Sequence, residues 1–131
     1  MPSFVFDCIA IGFGGALGAM ARYGVNALSA QWFKGPFHAG TLLVNVIGGF
    51  AIGFLAVMLG AESATFRTRL FLVTGVLGGL TTFSAFSLET FKLLHEQHLA
   101  AAFLNIFANN VFSIGACAMG YVTAKILFSL T

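Results

Sequence analysis

GTLLVNVIGGFAIGFLAVML, residues 40–59, is a run of twenty residues without a charge. A helix needs about 20 mostly apolar residues to cross the hydrocarbon layer of a bilayer, so this run has the length and composition of one membrane span. Its only polar side chains are Thr41 and Asn45, four apart and therefore on one helix face. Asn45 lies deep enough in the run to need a hydrogen-bond partner.

On either side of this run the pattern repeats. Apolar stretches cover residues 4–28, 70–91 and 99–128, and the last is uncharged as far as Ala124. Of the 131 residues 59% are hydrophobic and 8% charged, whereas a soluble domain carries about 25% charged residues. The reading is an all-α membrane protein in which residues 1–131 form a single four-helix transmembrane domain. No segment remains to fold as a catalytic domain outside the bilayer. The N-terminus has no positive region and carries Asp7, so the first apolar stretch reads as a retained helix and not a cleaved signal peptide. The net charge of +2 comes from scattered residues, which excludes a nucleic-acid partner.

The connections hold nearly all the charge: Lys34 and His38 in the first (29–39), Glu62, Arg67 and Arg69 in the second (60–69), Lys92, Glu96, His95 and His98 in the third (92–98). With four spans, Arg67, Arg69 and Lys125 fall on one side of the membrane and Arg22, Lys34 and Lys92 on the other. Orientation follows an imbalance of Lys and Arg in short loops, and three against three gives none. The expectation is dual topology, an up copy pairing with a down copy as an antiparallel homodimer. The alternative is that Arg22 is buried, or that Lys34 or Lys92 lies too far from the bilayer to count. Small-xxx-small pairs at Gly14/Gly18, Gly49/Gly53 and Gly75/Gly79 have the spacing that lets helices approach closely.

The third span is the unusual one. Residues 74–89 read TGVLGGLTTFSAFSLE, three glycines followed by two threonines at mid-membrane depth. This is poor helix and predicts a break near the middle of the span, against a continuous helix that uses Gly for packing. Irregular backbone at that depth is tolerated only inside protein or along a wet cavity, and its carbonyls can bind a cation. Beyond it, Phe83 and Phe86 share one face, and Ser84 and Ser87 a neighbouring one. Phenyl edges are positive and can meet an anion; paired phenyls are also ordinary packing. In the fourth span Asn105, Asn109 and Ser113 follow at i, i+4 and i+8, a polar row too costly to face lipid. It lines either a helix interface or a water-accessible path. Asn110 lies off the row, where it could bond a neighbouring helix. Arg22 and Glu89 are the charges nearest membrane depth. Arg22 could draw anions into a vestibule or anchor the helix end; Glu89 could line a pore mouth or mark the interface.

Other signals fail. Gly12, Gly14, Gly15 and Gly18 lack the spacing, the preceding strand and the following acidic residue of a dinucleotide fingerprint. The three histidines have no metal-ligand spacing, Cys8 and Cys117 read as small hydrophobes, and no nucleophile–base pair suggests an enzyme.

These residues resemble the Fluc (CrcB-type) fluoride channels over essentially the whole chain. The resemblance rests on Gly18-Ala19-x-x-Arg22-Tyr23, on Gly40-Thr41-Leu42-x-x-Asn45-x-x-Gly48, and on Gly75-x-x-Gly78-Gly79-Leu80-Thr81-Thr82-Phe83-Ser84-x-Phe86-Ser87. It implies a dual-topology antiparallel homodimer in the bacterial inner membrane that exports fluoride passively and lowers its toxicity. It also implies one structural Na+ at the dimer interface, held by backbone carbonyls at Gly78 and Thr81. The aromatic box maps to Phe83 and Phe86, the pore-facing asparagine to Asn45, the following hydroxyls to Ser84 and Ser87, the pore-mouth carboxylate to Glu89, and the arginine after the first helix to Arg22. Two positions depart from the family: Ala85 stands where Thr is usual, and Asn105 where some members carry Tyr. The rival is a small multidrug-type proton-coupled transporter, whose chemistry needs a carboxylate within the first helix. Here that helix offers only Asp7, near its start.

Overall fold

The computed structural model describes residues 2–35, 37–60 and 65–129, all helical apart from short connections. Glu62, assigned above to the second connection, lies outside the described residues. The helices are α1 (Pro2–Trp32), α2 (Ala39–Met58), α3 (Phe66–Arg69), a π-helical segment (Leu70–Leu77), α4 (Gly78–Leu80), α5 (Phe83–His95) and α6 (Leu99–Ser129). Together they make four spans long and apolar enough to cross a membrane, the third running Phe66–His95. The chain is a multi-pass membrane protein.

Three boundaries differ from the sequence expectation, each for a local reason. Residues 29–32 contain no Gly or Pro, so α1 continues to Trp32. Thr65 caps α3 by accepting a hydrogen bond from Thr68 N at 3.2 Å, which starts the third span at Phe66 and takes Arg67 and Arg69 out of the connection. At the far end α5 carries Lys92 and His95 in its last turn, where positive charge complements the helix dipole. The chain then reverses through His98 N→Leu93 O (2.8 Å) and Gln97 N→Leu94 O (3.2 Å), the paired bonds of a Schellman cap. Gln97 holds its left-handed position, φ 62°.

Packing relies on small residues. In water, large apolar side chains drive the core; in lipid the tails are equally apolar, so close backbone approach decides. The buried apolar residues include Ala102, Ala108, Ala116 and Ala124, while the main cluster is only Val44, Leu77 and Leu80 with Val25, Ala51 and Leu55 against it. α1 meets the third span through glycine: a Cβ on Gly75 would lie 2.9 Å from Gly14 Cα, and one on Gly79 would lie 3.0 Å from Ala19 N. α2 and α6 are zipped the same way, with Gly49 against Ser113 O, Gly53 against Cys117 O and Gly120 against Phe50 O. Phe13, Tyr23, Trp32, Phe103 and Ile114 point outward, as suits a lipid-facing surface. At one end Arg67 Nε donates to Asp7 Oδ1 at 3.1 Å, and its guanidinium lies over the Phe6 ring. Arg69 Nη2 donates to the Leu59 carbonyl and so holds the end of α2.

Inside the third span, Thr81 (φ −80°, ψ 155°) and Thr82 (φ −153°, ψ 117°) are extended between α4 and α5. The span nevertheless bends by only 15°.

Candidate functional site

Two extended residues within an apolar span leave backbone groups that no helix satisfies, and the cost of such orphans in a dry environment is high. Side chains answer it. Asn45, on α2, accepts from Thr82 N through Oδ1 at 2.9 Å and donates from Nδ2 to Thr82 O at 3.3 Å. Thr82 in turn caps α5: its Oγ1 accepts from Ala85 N at 3.1 Å. Thr81 bonds backward instead, its N and Oγ1 both donating to Leu77 O, at 3.0 and 2.9 Å.

These bonds free two carbonyls. In a continuous helix Thr82 N would donate to Gly78 O and Ala85 N to Thr81 O. Both amides are taken by side-chain oxygens, so Gly78 O loses its helical donor, and among the described residues Thr81 O keeps only a long contact from Arg22 Nη1 at 3.4 Å. Gly78 is exposed.

From Asn45 a one-way chain of amides runs through the bundle. Asn45 Nδ2 donates to Asn109 Oδ1 (3.0 Å), and Asn109 Nδ2 to Asn105 Oδ1 (3.0 Å) and Asn105 O (3.1 Å). Asn105 Nδ2 donates to Thr90 Oγ1 (2.9 Å), and Thr90 Oγ1 to Phe86 O (2.8 Å). The ladder ties α2, α6 and α5 together. Asn105 is 1% and Asn109 6% exposed, so these two rungs lie in the helix interface.

One face of the ladder borders a cleft of about 290 Å³ that brings together Asn45, Phe83, Phe86, Asn109 and Ser113, with Asn110 beside them. The Phe83 and Phe86 rings lie 5.3 Å apart, tilted by 51°, and Phe83 is 78% exposed. Ser113 Oγ is buried and has no hydrogen-bond partner among the described residues. Arg22, Ser84, Ser87, Glu89 and Asn105 do not line this cleft. Ser84 pairs with Thr82 Oγ1 at 3.2 Å, and Ser87 bonds back to Phe83 O at 2.9 Å.

Glu89 belongs to a second cleft, about 430 Å³, with Asn26, Ser29, Lys34, His38 and Thr41. Thr41 Oγ1 donates to Glu89 Oε1 at 2.6 Å, while Glu89 Oε2 is buried without a partner among the described residues. Thr41 and Asn45 are one turn apart on α2, so the two clefts open on successive turns of that helix.

The structure adds two features to the sequence reading. Asn110, which could bond a neighbouring helix, bonds Ile106 O of its own preceding turn at 2.7 Å. Thr82 and Thr90 were not singled out, although both are structural keys. The signal for Thr82 was a threonine three residues before Ala85 at a helix start; for Thr90 it was the i+4 position after Phe86.

Residues 9–121 match the family profile described as CrcB-like protein, Camphor Resistance (CrcB). A Campylobacter fetus subsp. fetus protein named fluoride-specific ion channel FluC is 45% identical over 120 residues, 91% of this chain and 94% of that one. A protein of the same name from Hydrogenovibrio crunogenus is 44% identical over 131 residues, covering 98% of this chain and 99% of the relative. Another, from Parabacteroides distasonis, is 38% identical over 117 residues, 89% of this chain and 91% of its own length. With the profile covering most of its length and relatives aligned nearly end to end, the chain belongs to the CrcB-like family.

Proposed function

We propose that this chain is a fluoride-selective ion channel that lets cytoplasmic fluoride leave a bacterial cell through the inner membrane, down its gradient. The observation that carries the reading is the Phe83–Phe86 pair beside an unpartnered, buried Ser113 hydroxyl. Phenyl edges carry the positive part of the ring quadrupole, and a hydroxyl without an acceptor gains from meeting an anion. Chloride, larger and a weaker hydrogen-bond acceptor, would gain less from the hydroxyl than fluoride does. Asn45, Asn109 and Asn105 shape the path, Ser84 and Ser87 flank the rings, and the cleft at Thr41 and Glu89 serves as its mouth. Arg22 draws anions toward it. The names of the relatives support fluoride as the ion.

The functional unit in this reading is an antiparallel homodimer of dual topology, in keeping with the even distribution of Lys and Arg. Phe83, so exposed on one copy, would then meet its partner. The interruption at Thr81 and Thr82 acts as a break in the third span. The donor set there fits a structural Na+: Gly78 and Thr81 present carbonyls stripped of helical donors, and such oxygens replace an ion's water. Gly78 and Thr81 would hold the ion through these oxygens, and what this chain does for it is withhold their helical donors through Asn45 and Thr82, Arg22 being the side chain that reaches Thr81 O.

A proton-coupled transporter is the weaker reading, because Asp7 of the first helix is tied to Arg67 near the bundle end. Efflux from liposomes holding the purified chain tests the proposal. Rapid electrogenic fluoride flux without a proton gradient is expected, with Phe83→Ile and Phe86→Ile each slowing it more than tenfold while the dimer persists. Silent liposomes, or unchanged flux in both variants, would remove it.

A further inference from the structure

We infer that Asn110 supplies an amide donor to the anion path, a role that rests on the channel reading above. A side-chain amide has two N–H groups to donate. Asn45 spends both, on Thr82 O and Asn109 Oδ1. Asn109 spends both within Asn105. Asn105 is buried in the helix interface and directed at Thr90. The asparagines on the polar row are therefore committed to one another, and an anion would have to displace bonds to use them. Asn110 spends one N–H on Ile106 O. Its second N–H has no partner among the described residues, and its side chain borders the same cleft as Phe83, Phe86 and Ser113.

Its setting makes the case stronger. Asn110 is exposed in a span whose neighbouring outward residues, Ile106, Phe107, Val111 and Ile114, are apolar. A polar amide facing lipid at that depth is costly, and one that donates to a passing anion or its water is not. Asn110 and Ser113 are three apart on α6 and so share a face. They line the same cleft as Phe83 and Phe86, so an anion there would have an amide and a hydroxyl to donate to it beside the two phenyl rings. The bond to Ile106 O fixes the amide's direction, which limits the reorganisation each ion demands.

The experiment compares fluoride efflux and reversal potentials of the full-length dimer in liposomes for four forms: unaltered, Asn110→Leu, Asn110→Asp and Asn110→Ser. Asn110→Asp keeps shape while replacing the donor with an acceptor. Both Leu and Asp should slow fluoride at least tenfold, and Asn110→Ser, which retains a donor, should recover most of the flux. All should elute as the unaltered dimer. If the unaltered chain conducts and Asn110→Leu conducts within twofold of it, the inference is wrong and the channel reading stands. Loss of flux that tracks loss of the dimer would likewise overturn it, since Asn110 would then be a packing residue. Absence of flux from the unaltered chain would defeat the channel reading and this inference with it.

Discussion

Asn45 holds the backbone of Thr82 from both sides, accepting from its N–H at 2.9 Å and donating to its carbonyl at 3.3 Å. A side chain of α2 thus stands in for the helical turn that the third span lacks at that point. The same amide begins the ladder through Asn109, so one residue supports both the irregular backbone and the wall of the cleft.

Removing it should therefore fail in two ways. Asn45→Leu leaves an amide and a carbonyl unpaired in an apolar span, and each buried orphan costs about 1–3 kcal/mol. The thermal midpoint of the protein in detergent should fall by several degrees. Asn45→Asp keeps the acceptor for Thr82 N but loses both donations and adds negative charge beside the cleft. It should be milder than Leu in melting and at least as severe in fluoride efflux. Equal melting for the two variants would mean that the Thr82 clamp contributes nothing to stability.

Thr82 sets up a separate expectation about sodium. Its hydroxyl occupies Ala85 N, which leaves Thr81 O without the donor a helix would give it. Thr82→Val removes the hydroxyl at nearly constant volume, so Ala85 N becomes available to Thr81 O. The carbonyl pair proposed for Na+ would weaken as a ligand set. Dimer stability should rise with Na+ concentration in the unaltered chain, and in Thr82→Val the same curve should lie at several-fold higher Na+. Curves that coincide, or that do not respond to Na+, would count against carbonyl coordination at this position.

How much of this was visible in the amino-acid order follows from what each feature depends on. The spans were legible, since length and absence of charge suffice. The irregular backbone at Thr81–Thr82 was foreshadowed by three glycines before two threonines, because that composition weakens a helix locally. Asn105 and Asn109 were recognisable as a row at helical spacing. What sequence could not distinguish was whether the row faces a path or a neighbouring helix. That depends on Thr90, fifteen residues from Asn105, and on Asn45, sixty-four from Asn109, and no local pattern encodes such pairings. For the same reason the order of residues left open where Asn110 bonds, and its acceptor is Ile106 O in its own preceding turn.

Glycine contacts between α2 and α6 make a third expectation. A Cβ on Gly53 would run into the Cys117 carbonyl, whereas one on Gly115 meets nothing within 4 Å. Gly115→Ala should be neutral or raise stability by up to about 1 kcal/mol, the helix-propensity gain of alanine. Gly53→Ala gains the same propensity yet should lower the melting midpoint, because α2 and α6 must move apart. A stabilised Gly53→Ala would show that this contact is slack.

Sidedness gives the most demanding test, because it interrogates the dimer and the function together. By sequence order Lys and Arg divide three and three between the two faces when Arg22, which lies inside α1 and reaches Thr81 O, is counted, and small changes in short loops should tip the balance. His95→Lys with His98→Lys adds two positive charges beside Lys92, making five against three. Ser3→Lys with Phe4→Lys adds two to the opposite face. A sidedness reporter fused to the C-terminus should read both faces for the unaltered chain and one face, opposite for the two, for the charged variants. Each charged variant alone then lacks an inverted partner and should pass little fluoride. Expressed together they should restore flux, because each supplies the orientation the other lacks and the pore-lining residues are untouched. If either variant alone, with one fixed orientation, conducts as well as the unaltered chain, two inverted copies are not what forms the pore. Parallel copies, or a single one, would then have to supply the second wall facing Phe83.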